Sequence, residues 1–157
     1  MRLAGIAALA ALSLAAPLGA QRPPDQAEVL AVIERLFEGM RTADSAVARS
    51  TLAEGARFAL VAERPDGPAL GFEPLDGWLA AVAGSQGRWE ERIYDVEVRV
   101  DGRVASVWAP YTFYLDGRVL HCGVDSFELL RGAEGWRITQ IADTRRTEDC
   151  PDPPRED

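Results

Sequence analysis

The chain has 157 residues, a formal net charge of −8 and 47% hydrophobic residues, enough for one domain with a proper core. All 17 of its basic residues are arginine against 25 acidic ones, a balance that argues against nucleic acid or an anionic membrane as partner. Two cysteines and one histidine are too few for a zinc site, and no cofactor motif is present.

The first 20 residues, MRLAGIAALAALSLAAPLGA, place one arginine before a short apolar run and small residues after it. That is the pattern of a cleaved secretory signal, with the cut expected at Ala20/Gln21. Residues 21–147 are then the domain and 148–157 a flexible tail, and the expected location is periplasmic or secreted. Export bears on Cys122 and Cys150: an oxidising compartment favours a disulfide between them, the alternative being a buried thiol and a loose one. No later segment is apolar and long enough to span a membrane.

Asp25 and Glu28 read as a capping box opening a helix in which Val29, Ile33, Leu36, Phe37 and Met40 recur at helical spacing. Asp44 or Ser45 caps a second helix reaching Ala53, with Gly55 as its stop. A short strand follows at 57–63, then a Pro/Gly-rich loop to Pro74, then a third helix capped by Asp76 and closed by Gly84. From Arg88 the period changes to two. Four strands, near 89–100, 103–115, 118–131 and 135–146, are joined by Asp101-Gly102, Asp116-Gly117 and Gly132-Ala133-Glu134-Gly135. Asp-Gly between alternating runs is a strong hairpin signal, because both residues tolerate a positive φ.

Helices followed by an antiparallel meander is an α+β layout. A long sheet twists and curls, and the helices can cover its concave face around a cone-shaped cavity. Strict alternation puts Phe127, Leu129, Trp136 and Ile138 on one face, joined by Asp125, Gly123 and His121. Two-residue turns set Trp108 opposite Asp125, and Asp95 opposite Trp108. That face, apolar at one end and polar at the other, suits a pocket lining. The other face, with Val98, Val107, Tyr111, Cys122 and Ile141, is apolar too. Either it packs on a second copy, or a bulge near Pro110 or Gly123 flips the parity and brings Tyr111 inside.

Within that lining, Asp125 and His121 are the candidate catalytic pair. Asp125 lies in an apolar strand, where a carboxylate must be paired, hydrogen-bonded or shifted in pKa; an arginine partner, Arg145 or Arg146, is the structural alternative. Asp143 faces the same choice, and holding one of those arginines is its expected role. His121 titrates near neutrality, but about 13 Å of strand separates it from Asp125. Trp108, Tyr111 and Asp95 are the candidate ligand-binding residues.

The first helix, the break and second helix at MRTADSAVARSTLAEGARF, the meander and the ending GWRITQIADTRR together resemble the NTF2-like (nuclear transport factor 2-like) superfamily. The last stretch, with HCGVDSFELL before it, is similar to the exported bacterial branch labelled SnoaL-like or lumazine-binding. The resemblance implies a cone-shaped NTF2-like roll with a pocket between sheet and helices, and dimerisation through the outer sheet face. Its enzymes use pocket carboxylates, tyrosines and histidines as acids and bases, but no single enzyme's motif fits here. The leading expectation is therefore an exported domain that binds a small apolar or aromatic ligand. The alternatives are an acid/base enzyme of the isomerase, dehydratase or cyclase kind using Asp125 and His121, and a structural dimer module.

Overall fold

The structure is a computed structural model, and it describes residues 23–62 and 66–154. The expected signal segment lies outside the described residues. Three helices, α1 (Pro24–Arg41), α2 (Ser45–Ser50) and α3 (Leu75–Ala83), accompany seven strands. These are β1 (Leu52–Ala62), β2 (Ala69–Glu73), β3 (Trp89–Ile93), β4 (Glu97–Asp101), β5 (Val104–Leu115), β6 (Arg118–Gly132) and β7 (Gly135–Asp143). They form one sheet in the order β2-β1-β7-β6-β5-β3, with β4 on β5 beyond β3.

The helical stripe of α1 is core, as its spacing requires: Val29, Ile33, Leu36, Phe37 and Met40 are all buried. They pack with Val107, Phe127, Leu129 and Ile138 of the sheet's inner face. Each such side chain contributes roughly 1.5–3 kcal/mol of hydrophobic stabilisation. The Asp25 capping box does not form. The helix starts at Pro24 with no side-chain cap, and Asp25 and Glu28 instead ion-pair with Arg131 at 3.2 and 3.0 Å. Asp44 does cap α2, accepting from the Ala46 and Val47 amides at 3.0 Å each. Asp76 caps nothing: it sits in the first turn of α3, behind Pro74.

The second helix ends at Ser50, and the chain from Leu52 is already strand, where Gly55 takes φ +73°. Its positive φ falls where the β1–β7 register shifts, between Leu52 and Arg57, so Gly55 marks a bulge in a strand. That strand pairs parallel with β7, which joins the first strand to the last. The expected loop before Pro74 contains β2, antiparallel to β1. The expected first long strand is two, broken at Asp95, a non-glycine residue with φ +48°.

Three register details decide which side chains face inward. Gly102-Arg103 forms the first turn, so Trp108 lies opposite Glu97. Between β5 and β6 the Asp116-Gly117 turn pairs Leu115 with Arg118, but one extra residue, Leu120, enters β6 before His121 meets Phe113. From there Trp108 opposes Ser126, and Ala109 opposes Asp125. A second extra residue, Thr139, sits in β7 between the partners of Leu129 and Glu128. The parity therefore does flip, at Leu120 and Thr139 and not at Pro110 or Gly123. Tyr111, Val107 and Ile141 come inside, and Trp108 goes out.

Cys122 and Cys150 form a disulfide on the outer face. The segment after it, expected to be flexible, crosses that face as a strap. Thr112 Oγ1 donates to Pro151 O at 2.7 Å, Arg92 Nη1 to Pro153 O at 3.1 Å, and Tyr114 OH to Asp152 Oδ1 at 2.5 Å. Among the described residues no helix is long and apolar enough to cross a membrane.

Candidate functional site

The inner face of the sheet and the helices enclose a cavity of about 70 Å³. Leu36, Phe37 and Met40 of α1 and Trp78 of α3 form one wall. Phe58 and Leu60 of β1, Phe127 of β6 and Ile141 of β7 form the other. The rings interlock: Phe58 meets Trp78 edge-on at 4.8 Å, and Phe37 meets Phe127 at 6.3 Å. A wider surface groove of about 410 Å³ adjoins it, bordered by Arg57, Phe72 and Leu75. Phe58 and Glu73 line both, so they stand between groove and cavity. Ligand pockets usually measure a few hundred Å³. The cavity alone holds a group of a few heavy atoms, and a larger ligand has to use the groove.

At the polar end, strand pairing brings acidic residues together. Asp125 of β6 lies opposite Asp143 of β7, and Glu91 of β3 comes from across β5. Asp125 is 5% exposed, and its Oδ2 is buried with no hydrogen-bond donor. Glu91 is its neighbour across the cavity, close enough for a side-chain hydrogen bond once one of the two carries a proton. Burial and the neighbouring negative charge of Glu91 hold the Asp125 carboxyl well above the usual carboxylate range. Burial likewise raises Glu91, to about 7, although the bond from Asp125 opposes the rise. Both carboxyls are therefore held above the ordinary range, and the two titrate as a coupled pair.

The arginine expected as a partner for Asp125 is taken elsewhere. Arg145 Nε donates to Asp143 Oδ2 at 2.5 Å, as was expected of Asp143, so among the described residues no arginine ion-pairs with Asp125 or Glu91, although the Arg145 charge acts on both from its place at Asp143. Tyr111 is buried on the inner face, and its OH donates to Thr144 O at 3.0 Å. His121 Nδ1 lies 3.1 Å from the same phenol oxygen. A phenol has one proton, so with that proton on Thr144 the His121 Nδ1–H donates and Nε2 is left as the acceptor. Burial, then the positive charge of Arg145, lowers the His121 pKa, while burial and the nearby carboxylates raise that of Tyr111. His121 stacks on Phe113 at 4.9 Å and is not among the cavity-lining residues.

The expected site is thus brought together in part. Asp125 lines the cavity, and Tyr111 and His121 stand behind it as a hydrogen-bonded pair. Trp108 is 53% exposed on the outer face, moved there by the extra residue at Leu120. Asp95 is exposed in the kink between β3 and β4 and lines neither the cavity nor the groove. Glu91 was missed. Its signal is the run Trp89-Glu-Glu-Arg-Ile93, in which Glu91 occupies the same parity as two apolar residues, the pattern that marked Asp125. Among the described residues no group of three His, Cys, Asp or Glu side chains converges as metal ligands would.

This architecture is the NTF2-like fold. An NTF2-like protein of unknown function from Shewanella baltica superposes with a TM-score of 0.62 at 18% identity, covering 82% of this chain and 98% of that one. An NTF2-like protein with a cystatin-like fold from Novosphingobium aromaticivorans gives 0.63 at 16% identity, over 80% and 84%. A candidate dehydratase of the NTF2-like family from Streptomyces avermitilis gives 0.61 at 17% identity, over 78% and 96%. No family model matches the chain, and neither does any curated protein sequence.

Proposed function

We propose that this chain is a small-molecule-binding domain. The body of an apolar or aromatic ligand lies in the groove, and its head passes Phe58 into the cavity. The observation that carries this reading is Asp125: a buried carboxyl oxygen with no donor at the end of an aromatic-walled cavity is costly for a pure scaffold and useful to a site. NMR titration with phenol and cyclohexanone tests it. Shifts at Phe58, Phe127 and Ile141 are expected, and Leu60→Trp, which fills the cavity, should abolish them. Shifts confined to the outer face, or unchanged in Leu60→Trp, would sink the reading.

Acid/base catalysis is the second reading. Its support is the coupled pair: Asp125, held well above the usual carboxylate range, beside a Glu91 raised to about 7 makes two carboxyls suited to exchanging a proton near neutral pH. His121 enters only through Tyr111, as a positioning residue. The catalytic pair of this reading is therefore Asp125 with Glu91.

Export is supported by the disulfide, which persists in oxidising compartments. Self-association through the outer face is supported by exposed Val104, Trp108 and Leu130 on neighbouring strands, although the strap occupies another part of that face. Light scattering of the purified chain would distinguish a dimer from a monomer.

A further inference from the structure

We propose that the head group accepted by this cavity is a protonated primary amine, its N–H groups donating to Asp125 Oδ2 and Glu91 while its carbon chain lies against the cavity rings. This deepens the small-molecule reading and rests on it. The first support is charge. The cavity lining carries four carboxyls, Glu73, Glu91, Asp125 and Asp143, against one arginine, Arg145, which Asp143 already holds. An anionic head would meet uncompensated like charge, and a neutral one would leave the pair's charge unbalanced. The second support is the orphan acceptor: Asp125 Oδ2 is buried and needs a donor, and an ammonium brings three. The third is the wall. Phe37, Phe58, Trp78 and Phe127 present ring surface to the same space, which favours a cation over its neutral isostere. The size agrees too, since about 70 Å³ admits an ammonium with the first carbons of its chain but not a bulky head. The carboxyls do not converge as metal ligands would, so an organic cation fits the arrangement better than a bare one.

The groups facing Asp125 set the pH dependence: Glu91 from β3, Tyr111 from β5, Asp143 and Arg145 from β7 and the residues after it, with Glu73 of β2 at the mouth and only apolar side chains from α1. An ammonium entering between Asp125 and Glu91 favours both as carboxylates and releases the protons they hold to solvent. Amine affinity therefore rises with pH up to about 7, as protons held by the raised carboxyls are released on binding.

Calorimetry with n-butylamine, 1-butanol and butyrate, repeated in buffers of different ionisation enthalpy, tests this. Butylamine should bind at least about tenfold more tightly than butanol, butyrate should not bind, and protons should be released to the buffer on amine binding at pH 6. Asp125→Asn should remove the preference for the amine, and Glu91→Gln should reduce the proton release. If butanol binds as well as butylamine, or Asp125→Asn keeps the preference, the amine assignment falls while the small-molecule reading stands. If none of the three probes binds, both fall.

Discussion

Glu90 and Glu91 are adjacent on β3 and point to opposite faces of the sheet, into opposite electrostatic settings. On the outer face Glu90 meets Arg92 Nε at 2.7 Å, and Arg92 lies over the Tyr114 ring and holds Asp152 and Pro153 of the strap. Acids and cations are matched there, and the whole fastens the C-terminal segment. On the inner face Glu91 meets Asp125, another acid, while the nearest arginine serves Asp143. The outer cluster is satisfied and stabilises the fold. The inner one is unbalanced, the setting that the proposed ligand would complete.

That contrast can be broken most forcefully at the strap. Cys122→Ser with Cys150→Ser opens the link across a sequence separation of 28. The chain-entropy relation puts the loss at about 3.5 kcal/mol. Chemical denaturation should show it, while NMR shifts of Phe58 and Phe127 stay in place. Gly123→Ala should cost somewhat less, about 1–3 kcal/mol. A β-carbon there would overlap Thr144 O, so the chain just past β7 must move. This variant should also disturb Asp143 and Arg145, hence the inner cluster, and an unchanged ligand-free spectrum there would contradict the placement.

The inner acids should behave oppositely. Their native pKa values lie above the unfolded ones, so the folded chain holds more protons, and stability falls as pH rises from about 4.5 through about 7. Asp125→Asn removes part of that loss. It should equal wild type near pH 4 and exceed it at pH 8 by on the order of 1 kcal/mol. The smallest effect is expected at Trp108→Ala, within about 0.5 kcal/mol in stability and without change in ligand affinity, because the ring lies half-exposed on the outer face.

The same division explains what the sequence disclosed. Helical spacing in α1, the Asp44 cap and the Asp116-Gly117 turn are local signals, and each is where it was expected. Asp125 was legible because a charge inside an apolar alternation is conspicuous. Trp108 was misplaced because Leu120 is apolar like its neighbours. An extra residue in VLHCGV leaves the composition of the run unchanged but inverts every side chain beyond it. The β2 strand was hidden in Ala-Leu-Gly-Phe-Glu beside Pro and Gly, and its pairing to β1 is tertiary. That Arg145 pairs with Asp143 and not with Asp125 was not legible at all, since it depends on which acid the arginine meets in the fold.

Carbon-13 NMR of the side-chain carboxyls across pH 3–9 tests the inner cluster most directly. Glu91 should titrate near 7 and Asp125 well above the usual carboxylate range, each curve bending where the other does. Ordinary midpoints near 4 for both would mean that the two carboxylates face water or a cation, and the site at the cone's polar end would be lost.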